Sequence, residues 1–133
     1  MIEHTADMGI EVWGDSLSDL FRRAGEALFS LMWDRAKVRS VNEYPVSLSA
    51  ETRDELMITM LSELLYIHEA EMAVFKNLEI KELSTKKVEA VAYGESFDHK
   101  RHHIKQGIKA VTYHDVNIRQ ENNMWYARLI FDI

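Results

Sequence analysis

Cysteine is absent from the 133 residues. Disulfides and thiolate metal sites are thereby excluded, and an intracellular setting fits. Proline occurs once, at Pro45, and the five glycines are scattered, so no glycine-rich phosphate loop can be built. No apolar run approaches the ~20 residues of a membrane-spanning helix. The opening residues are acidic and polar, unlike a signal peptide. A cytoplasmic protein without membrane contact is the expectation. The net charge is −6 at pH 7. That argues against wrapping nucleic acid with the whole surface, because phosphate contacts need clustered Lys and Arg. No serine sits in a nucleophile elbow, and no histidine pair has metalloprotease spacing. No conventional catalytic set assembles.

What is present is the composition of a globular domain, 47% hydrophobic and 29% charged. This length predicts one domain spanning the chain, with a real core. Gly9 to Gly14 alternates and reads as a short strand. Ser16, with Asp19 three residues on, predicts a helix start in a variant capping box. Leu17, Leu20, Phe21, Ala24, Leu28 and Leu31 then follow at helical spacing, ending near Trp33-Asp34. Pro45 opens an alternating strand through Ala50, a position where no ladder donor is needed. Thr52 and Glu55 form a full capping box before the stripe of Leu56, Met57, Met60, Leu61, Leu64, Leu65 and His68. Met57, Met60 and Met72 read as core filler, and His68 as a packed or hydrogen-bonded histidine.

Beyond Ala73 the period becomes two. One strand runs to Leu83 with a break at Lys76-Asn77, and the next from Lys87 to Gly94. Small Ala90 and Ala92 on that second strand predict a helix packed over their face. Glu95 to Gly107 reads as a polar loop. A long strand then puts Ile108, Ala110, Thr112, His114, Val116 and Ile118 on one face and Lys109, Val111, Tyr113 and Asp115 on the other. A hairpin at Glu121-Asn122-Asn123 leads into a last strand with Trp125, Ala127, Leu129 and Phe131 on one side. The expected class is α+β: two long helices and about six strands in mixed or antiparallel sheets, not a βαβ repeat.

Three constellations could carry chemistry. The first is the two ends. Leu129-Ile130-Phe131 is apolar enough to be paired in a sheet, which would hold Asp132 and the terminal carboxylate of Ile133 still. If the ends meet, Asp7 joins them. Three such charges repel unless a cation neutralises them, and oxygen-only ligands suit calcium or magnesium. The second is Lys109, either a surface lysine or a cation beside the acids placed to hold a phosphate. The third is the basic run His99 to His103 with Lys105 and Lys109, which reads as a solvated loop. Its histidines lack zinc spacing. Phosphate or protein contact by Asp98, Arg101 and His102 is the better reading.

Several motifs in order resemble one family. They are His4-Thr5-Ala6-Asp7 with Gly9, Tyr93-Gly94-Glu95 followed by Asp98, Arg101-His102, Lys109 to His114, and the ending Phe131-Asp132-Ile133. Together they are similar to archease, over nearly the whole chain. The resemblance implies a strand-helix-strand-strand module with a helix-bearing insertion at roughly residues 40 to 83. It implies an accessory protein of a GTP-dependent tRNA-splicing RNA ligase. Such a ligase joins 3′-phosphate or 2′,3′-cyclic phosphate ends to 5′-hydroxyl ends through its own guanylylated histidine. The accessory role is to promote guanylylation and repeated turnover. The family metal ligands fall on Asp7, Asp132 and Ile133, for calcium first and magnesium or manganese otherwise. The functional lysine falls on Lys109, and His4 joins Asp98, Arg101 and His102 as partner or phosphate contacts. RNA would be met only through the ligase, by a monomer or weak oligomer. A chaperone-like adaptor of RNA processing without metal chemistry is the alternative. A free-standing metal-dependent hydrolase ranks last.

Overall fold

The computed structural model describes residues 6–133, with the backbone alone described at His114 and Asp115. Within them the chain runs β1 (Asp7–Gly14), α1 (Leu17–Met32), a 3-10 turn (Arg35–Lys37), β2 (Asn42–Ser49), α2 (Arg53–Glu71), β3 (Ala73–Leu83), β4 (Lys87–Ser96), β5 (Ala110–Glu121) and β6 (Met124–Asp132). The class is α+β. Two antiparallel three-stranded sheets have the orders β1-β6-β5 and β2-β4-β3.

Both helix starts follow from their caps. The Ser16 hydroxyl accepts the Asp19 N–H at 3.0 Å, and the Thr52 hydroxyl accepts the Glu55 N–H at 3.1 Å. Each cap satisfies one otherwise orphaned donor. Helix α1 packs on β3 of one sheet and on β1 and β6 of the other, while α2 touches β5, β2, β3 and β4. Each helix thus bridges the two sheets. That explains why α2 is buried beyond its expected stripe, with Ile58 and Ile67 buried as well as Leu56, Met57, Met60, Leu61, Leu64 and Leu65. It also explains Ala90 and Ala92, which are buried where α2 crosses β4. His68 packs on Trp33 with ring centroids 4.9 Å apart, and its Nδ1 lies 2.6 Å from the Ala73 carbonyl oxygen.

Four expectations are corrected. Met72 is not core filler: it is the left-handed cap of α2, φ 51°, and is 67% exposed. Pro45 lies inside β2 rather than at its start. Ala50 N–H donates to Lys86 O across the ladder, and such bonding positions recur every second residue. The nitrogen at position 45 therefore falls on the open edge, where no donor is missed. Glu95 belongs to β4 and pairs with Val74, so the loop begins later than its polarity implied. The approach at Gly94 is so close that a Cβ there would collide with the Val74 carbonyl.

The fourth correction concerns β5. It advances from Thr112 to Asn117 while β6 advances only from Ile130 to Arg128. An odd number of extra residues exchanges the faces of a strand. Val111 and Ile118 are consequently both buried, although strict alternation would separate them.

Candidate functional site

The β1–β6 ladder brings the two ends of the chain together. Asp7 is the Cα partner of Asp132, and Ile133 N–H donates to the Ala6 carbonyl at 3.2 Å. That bond makes residues 6 and 133 a hydrogen-bonded pair. The next pair, Asp7 and Asp132, is then non-hydrogen-bonded, the kind with Cα atoms about 4.5 Å apart and side chains closest. Both project to one face.

The same face of the ladder continues through Gly9 opposite Ile130, Glu11 opposite Arg128 and Trp13 opposite Tyr126. Contacts there confirm the register. A Cβ on Gly9 would lie 3.1 Å from Ile130 Cδ1, and the Trp13 and Tyr126 rings are 4.6 Å apart. Opposite charges and aromatic pairs stabilise cross-strand neighbours, whereas like charges destabilise them. Along this face the ladder obeys that rule except at Asp7–Asp132.

Lys109 adjoins the acids through the main chain, its N–H donating to the Asp132 carbonyl at 2.8 Å. Its side chain is exposed. Among the described residues no cluster of three or more His, Cys, Asp or Glu side chains forms. The groups that a cation would meet at this tip are two aspartates plus main-chain oxygens. That is hard-oxygen chemistry, fitting calcium, magnesium or manganese rather than zinc. Asp7 is exposed, while Asp132 and Ile133 are partly buried, so room for water ligands exists on the Asp7 side.

A second polar centre lies at the end of β4. Glu95 is only 7% exposed. One oxygen, Oε2, accepts the Arg39 N–H at 2.7 Å, Arg101 Nη1 at 3.2 Å and His102 Nε2 at 3.0 Å, while Arg101 Nη2 donates to Oε1. The Arg101 guanidinium is the main cause, with the Arg39 amide and His102 adding to it against the cost of burial, that holds the Glu95 carboxyl down at about 2. His102 Nδ1 accepts the Asp98 N–H at 2.9 Å. The proton therefore sits on Nε2, which donates to Glu95. Asp98 in turn accepts the Lys100 N–H on Oδ1, and its carbonyl accepts the N–H groups of Arg101 and His102.

The structure thus brings Asp98, Arg101 and His102 into one network, and separately joins Asp7, Asp132, Ile133 and Lys109. His4 lies outside the described residues. The basic run is not a freely solvated loop, since His102 is buried and Lys105 N–H is tied to Met32 O at 2.7 Å. Glu95 and Arg39 were missed as site residues. Two signals bear on Glu95: its place in the Tyr93-Gly94-Glu95 motif, and a basic run with few acids of its own, which needs an acid from elsewhere.

The fold and its oxygen-rich strand end define a small α+β domain of two antiparallel sheets bridged by two helices. The sequence model of the Archease protein family (MTH1598/TM1083) matches residues 1–133. A Protein archease of Pyrococcus abyssi is 39% identical over 98% of this chain and 95% of that protein. One of Methanopyrus kandleri is 36% identical over 99% and 96%. The solution structure of Methanobacterium thermoautotrophicum protein 1598 superposes with a TM-score of 0.80 at 32% identity, covering 99% and 96% of the two chains. The crystal structure of a Thermotoga maritima archease, described as a possible chaperone, matches in fold with a TM-score of 0.66 at 18% identity, covering 100% and 95%. The chain belongs to the archease family.

Proposed function

We propose that this protein activates a GTP-dependent RNA ligase that joins 3′-phosphate or 2′,3′-cyclic phosphate ends to 5′-hydroxyl ends in tRNA splicing or RNA repair. It promotes guanylylation and repeated turnover of the ligase and is not itself the catalyst. The observation that carries this reading is the like-charged Asp7–Asp132 pair, set by register on a face whose other pairs are complementary. A pair that weakens its own sheet makes sense as a ligand site.

In this reading Asp7, Asp132 and the Ile133 carboxylate hold a divalent cation, calcium first, magnesium or manganese otherwise. When bound, such a cation supplies positive charge for phosphate oxygens. The chain's own residues do the rest. Strands β1 and β6 keep the two carboxylates on one face, and the Lys109 amide tethers the Asp132 carbonyl. The Lys109 side chain, exposed beside the acids, offers a cation to phosphate in the ligase site. His4, Asp98, Arg101 and His102 serve as partner or phosphate contacts. The protein works in the cytoplasm as a monomer or weak oligomer.

The coarser form of the reading is chaperone-like action on a protein partner, the description given to the Thermotoga maritima archease. In that reading the basic run around Lys100 and Arg101 is the contact surface.

The deciding experiment is single-turnover guanylylation of a cognate ligase with wild type and Asp132→Ala. Acceleration by wild type alone supports the proposal. Full stimulation by Asp132→Ala defeats the acidic mechanism, and loss of stimulation only on charge reversal at Lys100 and Arg101 favours the adaptor.

A further inference from the structure

A groove of about 410 Å³ is lined by Ala36, Lys37, Arg39, Lys100 and Arg101. Four of its five lining residues are cations, in a chain of net charge −6. Like charges gathered in one concavity raise the local potential and draw in an anion.

The walls are held in place. One is the turn after α1, where the Asp34 carboxylate accepts the Ala36 N–H at 3.0 Å and Val38 is buried. The other is the turn at Asp98, which accepts the Lys100 N–H at 3.0 Å. Glu95 ties both together, through the Arg39 amide on one wall and the Arg101 guanidinium on the other. Arg101 is thereby neutralised by Glu95. The side chains of Lys37, Arg39 and Lys100 are exposed, and among the described residues none has a hydrogen-bond or ion-pair partner. The fold therefore pins the backbone under three cations and leaves their charge unanswered.

We infer that this groove binds the phosphate backbone of single-stranded nucleic acid, giving the protein an RNA contact of its own. Its lining decides among anions. Peptide interfaces need an apolar centre, and the only apolar lining residue is Ala36. No aromatic side chain lines it, so bases cannot stack there. What remains is contact by charge alone, which positions a strand without reading its sequence. The chain as a whole carries a net charge of −6, so a polyanion contact here rests on the local concentration of cations in the groove.

The test is fluorescence anisotropy of a labelled 12-nucleotide single-stranded RNA at rising salt, on wild type and on Arg39→Glu/Lys100→Glu. Three unpaired cations predict a slope of log affinity against log salt of about −2. The double variant should bind at least about tenfold more weakly with a slope near zero. Single-stranded DNA of the same sequence should bind alike. Thermal melting of the variant should match wild type, because neither altered side chain has a partner to lose. The inference is overturned if wild type fails to bind at 50 mM salt, if the variant binds as well, or if poly-glutamate binds as tightly as RNA. No ligase is present, so failure here leaves the ligase proposal standing, and failure there leaves this one.

Discussion

Asp7 stands directly across from Asp132 in a non-hydrogen-bonded pair of the β1–β6 ladder, two carboxylates on one face at the meeting point of the chain's ends. In the absence of a cation this pair weakens the sheet. Asp132→Asn should then stabilise the protein in EDTA by about 0.2–1 kcal/mol. If calcium binds the pair as proposed, the order should reverse. Ligand at a hundred times its dissociation constant stabilises the wild type by about 2.7 kcal/mol, and the variant gains little. Thermal melts of both proteins with EDTA and with calcium chloride measure this crossing. Parallel shifts in the two proteins would sink the metal site.

The β5–β6 hairpin makes a prediction about backbone alone. Glu121 pairs with Met124, and the two residues between them, Asn122 and Asn123, have φ of 53° and 65°. Two successive left-handed residues are the signature of the type I′ turn. Asn tolerates this conformation, and a β-branched residue does not. Asn123→Val should cost about 1–2 kcal/mol in urea unfolding, and Asn123→Gly should be neutral or stabilising. A glycine variant weaker than the valine variant contradicts the turn assignment.

Much of the fold was legible because it rests on local rules. The N-caps at Ser16 and Thr52 (among the described residues without the return bond of a full capping box), the stripes behind them and the hairpin at Asn122-Asn123 are all short-range signals, and each appears where its spacing predicts. The meeting of the ends was legible from one clue, an apolar strand finishing at Asp132. What could not be read depends on partners far away in the chain. The β5 bulge answers to β6, so alternation assigned Val111 to the wrong face. Glu95 sits 56 positions from Arg39, and no local pattern announces that contact. The open-edge position of Pro45 required the sheet order.

Pro45 also limits what β2 can do. Strand β2 is an edge of its sheet, and an edge strand with free donors invites pairing with another chain. Proline removes the donor at the middle of that edge. Pro45→Val should leave unfolding free energy within about 0.5 kcal/mol of wild type but raise concentration-dependent association. Light scattering over a concentration series checks this. A variant as monodisperse as the wild type would mean that other features guard the edge.

Glu95 ties stability to pH with a definite sign. Its folded carboxyl is held at about 2, against 4.5 for the free group, first by Arg101 and then by the Arg39 amide and His102. A depressed acid stabilises the folded state where it is ionised in both states. Its contribution is thus complete above about pH 4.5 and is lost as pH falls toward about 2. Glu95→Gln removes the buried carboxylate that accepts from Arg39, Arg101 and His102 and should cost about 1.5–3 kcal/mol near neutrality, the range for hydrogen bonds to a charged group. The gap between wild type and Glu95→Gln in urea melts should be constant from pH 7 to about 5 and narrow steadily below it. Other carboxylates titrate in the same range, but they do so in both proteins and cancel in the difference. A gap that stays constant down to pH 2.5 would show that Glu95 is held by packing rather than by its charge, and the groove walls would then owe their position to something other than this carboxylate.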